Sequence, residues 1–155
     1  MPTNNATLEQ RRSLRQSFEK NGLRAAWLGL YGQQFLKKDP NCFGTLTLKN
    51  VVHKDGTEAV PGRVFTGYLI DNFIKSINTP MIVVEEFGKK NGRRHFHFVG
   101  VDSPFVLHQV KQWSNRYGFT KIERAVNSLA CMAYITKYMV KEVDADTARF
   151  WVKWI

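Results

Sequence analysis

The chain has 155 residues, 43% of them hydrophobic, which is enough to bury the core of one domain and excludes a disordered chain. Lys and Arg number 23 against 13 Asp and Glu, and the formal charge of +10 favours an anionic partner without separating DNA from RNA or acidic lipid. Cys42 and Cys131 lack the paired spacing of a zinc site or a disulfide framework, so we expect two small buried side chains in a reducing compartment.

The start of the sequence predicts helices and no targeting segment. No apolar run approaches the roughly 18–20 residues that span a bilayer, and no signal-peptide pattern opens the chain, so we expect a cytoplasmic protein without a membrane partner. Residues 1–40 predict a helical extension. Its first helix runs from a cap at Thr7 to about Gly22, and its second covers residues 23–38, where Asp39-Pro40 ends it.

A strand, a turn and a helix are predicted next. Residues 42–52 alternate apolar, Gly and Thr side chains in the manner of a strand. Lys54-Asp55-Gly56 predicts a turn. Residues 65–77 have the apolar spacing of an amphipathic helix, which closes at Asn78-Thr79-Pro80.

A hairpin and a capped helix follow. Residues 81–87 and 93–101 are two strand-like runs that flank a tight loop, and Asn91-Gly92 within this loop is a strong hairpin signal. Ser103-Pro104 then supplies the capping residue and the first-turn proline of a helix.

The last third completes the predicted fold. Residues 118–126 fit a further strand, and a helix is expected from Ser128 to about Glu142. The apolar tail at 150–155 is either a packed terminal strand or the cut edge of a longer protein. The order of elements predicts an α+β fold in which a largely antiparallel sheet of about five strands is flanked by helices. We expect residues 1–155 to form a single domain with its core in 42–142.

His95 and His97 are the first candidates for chemistry. They lie two residues apart in a predicted strand, so both imidazoles project from one face, about 6–7 Å apart at the backbone, and can converge on one cation. The hairpin brings Glu85 and Glu86 alongside, and a buried carboxylate there needs a cation or hydrogen bonds. Two histidines and one carboxylate suit Mn²⁺, Mg²⁺, Zn²⁺ or non-haem iron. The alternative is a pair of half-exposed surface histidines.

The last predicted helix carries the second candidate group. Tyr134, Lys137, Tyr138 and Lys141 are spaced i, i+3, i+4 and i+7, which places them in one stripe opposite an apolar face. A phenol is a poor nucleophile at its free pKa of about 10, and a nearby cation favours the phenolate. The alternative is an amphipathic surface helix whose lysines are solvated.

The two groups occur in an order that resembles the HUH endonuclease superfamily. The matching runs are residues 85–97, which end in His-Phe-His, and residues 134–138, Tyr-Ile-Thr-Lys-Tyr. In particular, the chain is similar to the rolling-circle replication initiators of single-stranded DNA phages, plasmids and small circular DNA viruses. Residues 43–48 would be the family's first motif, a core strand of little specificity. The resemblance spans about residues 42–141.

The resemblance implies an enzyme that nicks single-stranded origin DNA with the help of a metal ion. His95 and His97 would be ligands of Mg²⁺ or Mn²⁺, and Glu86 would be the third ligand. Glu85 is the fallback, because the loop leaves the pairing register uncertain by one residue.

The resemblance also implies how the strand is cut. Tyr134 would attack the scissile phosphate, leaving a 5′-phosphotyrosine and a free 3′-hydroxyl that can later be rejoined. Lys137 would assist at the phosphate or help to hold the active site together. Tyr138 departs from initiators with one tyrosine and is similar to phage initiators in which two tyrosines on one helix alternate as nucleophile. Otherwise, Tyr138 only packs or binds DNA.

Basic side chains beside the hairpin and on the last helix would contact DNA phosphates, which makes binding sensitive to salt. They are Lys89, Lys90, Arg93, Arg94 and Lys141. The sequence contains no Walker-type Gly-x-x-x-x-Gly-Lys-Ser/Thr run. Unwinding is therefore expected from a host helicase or a domain outside this sequence, with a host polymerase as a further partner.

Two other functions share these features. A single-domain HUH transposase has the same metal motif and a tyrosine on a helix. The lysine three residues after Tyr134 and the second tyrosine favour an initiator instead. A non-catalytic, sheet-based nucleic-acid-binding module would use His95 and His97 only to line a binding face. Formation of a covalent adduct with single-stranded DNA separates the enzymes from the module.

Overall fold

The computed structural model describes residue 8 and residues 32–87, 94–141 and 149–154, of which residues 87, 136, 137 and 139–141 are described by their backbone alone. In chain order its elements are β1 (Cys42–Leu48), β2 (Val51–Val52), β3 (Glu58–Ala59), α1 (Arg63–Ser76), β4 (Met81–Phe87), β5 (Arg94–Gly100), α2 (Pro104–Arg116), β6 (Gly118–Arg124), α3 (Ser128–Lys141) and β7 (Phe150–Lys153). Residues 32–36, which precede β1, are also helical.

Five of the strands form one antiparallel sheet in the order β6-β1-β5-β4-β7. The predicted α+β fold with about five strands is therefore confirmed. The short strands β2 and β3 pair with each other in a separate two-stranded sheet. Consequently β1 ends at Leu48, four residues before the predicted strand end at residue 52, because the chain leaves the main sheet to make this small hairpin.

Helices cover both faces of the main sheet. On one face α1 and α2 pack against Phe96 and Phe98, which are fully buried in a cluster that includes Trp113. On the other face α3 packs against β4 and β5, and its Met132 and Ile135 are fully buried. The alternation of side chains along each strand therefore gives every central strand two buried faces.

Local signals explain where several elements begin and how closely they pack. The Ser103 hydroxyl accepts a hydrogen bond from the backbone N–H of Val106 at 3.2 Å, and Pro104 occupies the first turn, so α2 begins as predicted. Gly118 begins β6 where a Cβ atom would lie 1.8 Å from the carbonyl oxygen of Thr47. Only glycine lets β6 approach β1 this closely at that point.

The two ends of the chain differ in how far the predictions can be compared with the structure. Most of the two predicted N-terminal helices lies outside the described residues, but helical residues 32–36 and the turn at 37–38 agree with a helix that ends before Asp39. The apolar tail forms β7 and pairs with β4, so it is packed as a strand of the main sheet. Within the described part of the chain, none of the helices has the length and apolar character to cross a membrane.

Candidate active site

The strand register puts His95, His97 and Glu86 on one face of the sheet. Glu86 of β4 pairs directly with His95 of β5, and opposed residues in antiparallel strands project to the same side. His97 lies two residues further along β5 and therefore shares this face. Glu85 pairs with Phe96 and projects to the opposite face. The structure thus groups Glu86, and not Glu85, with the two histidines.

His97 and Glu86 are in direct contact under α3. Nε2 of His97 lies 2.5 Å from Oε2 of Glu86. His97 is 6% exposed and Glu86 is 9% exposed, so water screens the contact poorly. A lone pair on each atom would repel at this distance, so a hydrogen-bonded proton must lie between them. The contact therefore places a carboxylate oxygen and an imidazole nitrogen side by side on this face of the sheet.

Tyr134 of α3 reaches the same point from above the sheet. Its hydroxyl oxygen lies 3.1 Å from Nδ1 of His97 and donates a longer hydrogen bond of 3.4 Å to the carbonyl oxygen of Gly44. Its ring packs on Phe43, with centroids 4.5 Å apart. Burial raises the pKa of Tyr134 to about 12, so the phenol is protonated at neutral pH. The Tyr134 side chain is therefore held beside the imidazole as a neutral phenol.

Tyr138 lies one helical turn after Tyr134, on the same side of α3. Its ring stacks on the imidazole of His97, with centroids 3.3 Å apart and an angle of 10° between the planes. The two phenol rings are 5.0 Å apart at their centroids. Both tyrosines predicted as candidates therefore contact the same histidine, Tyr134 through its hydroxyl and Tyr138 through its ring.

Two threonines of β1 belong to the site and were not singled out from the sequence. Thr47 lies beside His95, with 3.1 Å between its hydroxyl oxygen and Nδ1. The hydroxyl of Thr45 lies 3.4 Å from both Nδ1 of His97 and the hydroxyl of Tyr134. The sequence does indicate that the two threonines share one face of β1, since they are spaced i and i+2. It does not indicate that β1 pairs with β5, which is what puts the threonines beside the histidines.

Glu85 has a different environment on the opposite face. Its fully buried carboxylate accepts a hydrogen bond from Arg94 at 3.1 Å, and from Arg149 at 3.1 Å and 2.7 Å. Arg149 also donates to the hydroxyl of Thr66 in α1. These bonds join β4, β5 and the residue before β7. Arg94, predicted as a DNA contact, is therefore placed away from the histidines, because it neighbours His95 along the strand and points to the other side.

The histidines and Glu86 have the donor atoms of a divalent cation site but not its spacing. No group of three His, Cys, Asp or Glu side chains within the described residues is arranged to hold a metal ion. Ligands of one Mg²⁺ lie about 2.1 Å from the ion, so neighbouring ligand atoms lie about 3 Å apart. Nε2 of His97 and Oε2 of Glu86, at 2.5 Å, would have to separate by only about 0.5 Å. In donor chemistry and in shared face, the residues fit a metal ion.

The remaining predicted site residues cannot be placed. Lys89, Lys90 and Arg93 lie outside the described residues, as does the loop that joins β4 to β5. Lys137 and Lys141 lie on α3, but their side chains also fall outside the description. The structure therefore puts the predicted metal ligands and both tyrosines on one face of the sheet and Arg94 on the other, and it does not describe the side chains of the other predicted basic residues.

Comparison with known families identifies a match over the central part of the chain. The family model of the replication-associated protein ORF2/G2P matches residues 41–143. The matched span runs from β1 to the end of α3, so it contains both histidines, Glu86 and both tyrosines. No curated protein and no solved structure matches the chain.

Proposed function

The chain belongs to the family of replication-associated proteins ORF2/G2P, and from this premise we propose that it is a replication initiator that nicks single-stranded DNA at an origin. The observation that carries the proposal is the contact chain Glu86–His97–Tyr134, in which a carboxylate, an imidazole and a phenol follow each other at 2.5 Å and 3.1 Å. Such a chain places a tyrosine oxygen next to a candidate cation site, as attack on a phosphodiester requires.

In the proposed reaction, the hydroxyl oxygen of Tyr134 attacks the scissile phosphorus. A bond forms between this oxygen and phosphorus, and the bond from phosphorus to the 3′ oxygen breaks. The phenolic proton passes to water, and the departing 3′ oxygen takes a proton from water. The products are a 5′-phosphotyrosine and a free 3′-hydroxyl, and reversal with another 3′-hydroxyl rejoins the strands.

His97 has two functions in this proposal, one for each ring nitrogen. With a metal ion held at Nε2, on the side of Glu86, the ring proton of His97 would lie on Nδ1. This N–H then donates to the oxygen of Tyr134 at 3.1 Å and stabilises the phenolate as the proton leaves. The hydrogen bond from Tyr134 to Gly44 is consistent with this direction, because the phenol donates there and accepts from His97.

We propose Mg²⁺ or Mn²⁺ as the cofactor, held by His95, His97 and Glu86. When bound, the ion would polarise the scissile phosphate and stabilise the charge that develops on it. Thr47 orients the ring of His95 through Nδ1, as partners outside the ligand shell commonly do for metal-binding histidines. The shared face and the small separation needed between His97 and Glu86 support this assignment.

Further residues complete the proposal. Tyr138 takes over as nucleophile for a second cut, which its contact with His97 supports. Lys137, three residues after Tyr134 on α3, assists at the phosphate. Basic residues near the site contact the DNA backbone, namely Lys89, Lys90, Arg93 and Lys141. Arg94 is left out of this set because its guanidinium is bonded to Glu85 on the other face. A host helicase would unwind the duplex and a host polymerase would extend the free 3′-hydroxyl.

The proposal is tested by incubating the chain with a randomised single-stranded DNA library and Mn²⁺, followed by denaturing gel electrophoresis. We expect a covalent adduct that disappears in EDTA and in Tyr134→Phe. Tyr68→Phe is the matched control, because Tyr68 is 63% exposed on α1, in the layer on the opposite face, and should leave the adduct unchanged. Absence of any adduct from the library would support the non-catalytic binding module instead. An adduct that persists in EDTA would refute the metal assignment, and one lost only in Tyr138→Phe would refute the choice of nucleophile.

A further inference from the structure

The face that carries the candidate active site continues across β1 onto the edge strand β6. Thr47 pairs with His95 on one side and with Phe119 on the other. Thr45 likewise pairs with His97 and with Lys121. Because paired residues project to the same side, Phe119 and Lys121 extend the two rows that contain the histidines. Two strand spacings separate them from β5, which is about 10 Å at the backbone.

Core packing does not account for Phe119. The ring is 55% exposed, whereas Gly118, at the start of the same strand, is buried against β1. Helix α2 packs against β6 on the opposite side of the sheet. Phe65 and Phe105 are similarly exposed but lie on α1 and α2, in the layer of the opposite face, so Phe119 differs from them in sharing the face of the candidate active site.

Two ammonium groups accompany this ring. Nζ of Lys49 lies 5.1 Å from the centroid of Phe119, within the range of a cation–π contact. Lys121 is in the adjacent row, its side chain is 70% exposed, and it forms a surface ion pair with Glu123 at 2.8 Å. Such an exposed pair contributes little to stability, so its lysine can exchange the carboxylate for a phosphate at small cost. An aromatic ring with two lysines nearby suits a base flanked by backbone phosphates.

Among the described elements, α3 leaves this part of the face uncovered. It packs mainly on β4 and β5 and touches β1 at its margin, and it makes no extensive contact with β6. Tyr134 and His97 are therefore enclosed on the α3 side, and the face opens from them towards Thr47 and Phe119. A strand of DNA with its phosphate at Tyr134 would extend along this open direction.

We propose that Phe119, with Lys49 and Lys121, is a base-stacking subsite for single-stranded nucleic acid, and that it holds the substrate a few nucleotides from the cleavage position. The role next to cleavage rests on the proposed function, whereas the stacking itself does not. The excess of positive charge on the chain, +10, favours a polyanion over a neutral or basic protein surface as the occupant. Stacking on an aromatic ring tolerates any base, so the subsite contributes affinity more than sequence choice.

The test measures binding without cleavage. Tyr134→Phe protein in EDTA is titrated into fluorescein-labelled oligothymidylate, and binding is followed by fluorescence anisotropy. Adding Phe119→Ala should weaken binding about 5-fold to 150-fold, the range that loss of one stacked base gives. Phe119→Trp should restore it. Phe105→Ala is the matched control, because Phe105 is 54% exposed on α2, on the opposite face, and should bind as the parent protein does.

Salt dependence tests the role of Lys49 separately from that of the ring. Each phosphate contact to a single strand contributes a slope of about −0.7 to the logarithm of the binding constant against the logarithm of salt concentration. Lys49→Gln should reduce the steepness by about this amount, whereas Phe119→Ala should leave it unchanged. An unchanged slope in Lys49→Gln would overturn the assignment of Lys49 to phosphate.

The outcomes separate this inference from the nuclease proposal. Binding in Phe119→Ala equal to that in Phe105→Ala would overturn the subsite, even if the wild-type chain forms the adduct. Binding that depends on Phe119 in a chain that forms no adduct would support the subsite and refute the nuclease. If Phe119→Ala leaves oligonucleotide affinity unchanged but converts a dimer to a monomer in size-exclusion chromatography, the ring is a self-association contact and the inference is wrong. Thermal unfolding of each variant excludes loss of fold as the cause, since a half-exposed ring should change it little.

Discussion

Glu85 and Glu86 are adjacent in sequence, yet the structure gives them separable functions, which two alanine substitutions can distinguish. Glu85 lies on the face of α1 and α2, where two arginines bind its carboxylate. Glu86 lies on the face of α3, where its carboxylate contacts His97. We expect Glu85→Ala to lower stability and preserve chemistry, and Glu86→Ala to lower stability less and abolish metal-dependent adduct formation.

The expected size of the stability effect follows from burial. The Glu85 carboxylate is 0% exposed and accepts three hydrogen bonds, so its removal takes away a buried carboxylate that two guanidinium groups bind. Breaking a buried ion pair from one side costs about 3–5 kcal/mol. The side chains of Arg94 and Arg149 are 11% and 21% exposed, so water can partly solvate them in the variant. We therefore expect a loss at the lower end of this range, about 3 kcal/mol. For a chain of this length, that lowers Tm by about 6–12 °C.

Glu86→Ala should lower the free energy of unfolding less than Glu85→Ala, by about 1–2 kcal/mol, because Glu86 contacts a histidine, which can be neutral, whereas Glu85 binds two arginines, which stay charged. Urea denaturation measures stability, and the denaturing-gel adduct assay, run well below the Tm of both variants, measures chemistry. The assignment of the two faces would be refuted if Glu85→Ala lost the adduct while folded, or if Glu86→Ala were the variant with the lower Tm. Similar loss of both properties in both variants would show that the two faces are coupled.

Two further predictions concern packing. Gly118→Ala should destabilise the chain by about 1–3 kcal/mol in urea denaturation, because its Cβ would lie 1.8 Å from the carbonyl oxygen of Thr47. Gly62→Ala is the control, since a Cβ there meets open space, and it should cost about 1 kcal/mol or less. Equal costs for the two variants would contradict the close approach of β6 to β1. Burial raises the pKa of the Cys42 and Cys131 thiols to about 12, so both should react with a thiol reagent at mildly alkaline pH only after denaturation; rapid labelling of the native chain would contradict this.

The elements that could be predicted are those whose signals are local. The cap and proline at Ser103-Pro104, the apolar spacing of α1 and the alternation along β4 and β5 each act within a few residues, and these helices and strands formed close to where they were expected. The end of β1 was misplaced because Val51 and Val52 continue its apolar pattern. Their partners, Glu58 and Ala59, take them into another sheet, and such pairing is a tertiary choice that strand propensity does not contain.

The candidate site could likewise be predicted where its signals are local, and could not where they depend on how the strands pair. The period of two along β5 put His95 and His97 on one face without any knowledge of the fold. Choosing between Glu85 and Glu86 required the register across the hairpin, which the loop left open by one residue and which the structure sets at Glu86↔His95. The grouping of Arg94 with the loop lysines followed proximity in sequence. Strand alternation could already have placed it on the side opposite His95.

The chemistry of Tyr134 explains why β1 matters beyond core packing. Burial raises the pKa of Tyr134 to about 12, and the hydrogen bond with Thr45 opposes that rise, since it favours the ionised oxygen. Thr47 holds the ring of His95 in the same way that Thr45 contacts that of His97. One face of β1 therefore fills the core with Leu46 and Leu48, and the other supplies the hydroxyls that orient the site. A strand with so little sequence specificity can still be constrained at every residue, because each face has its own requirement.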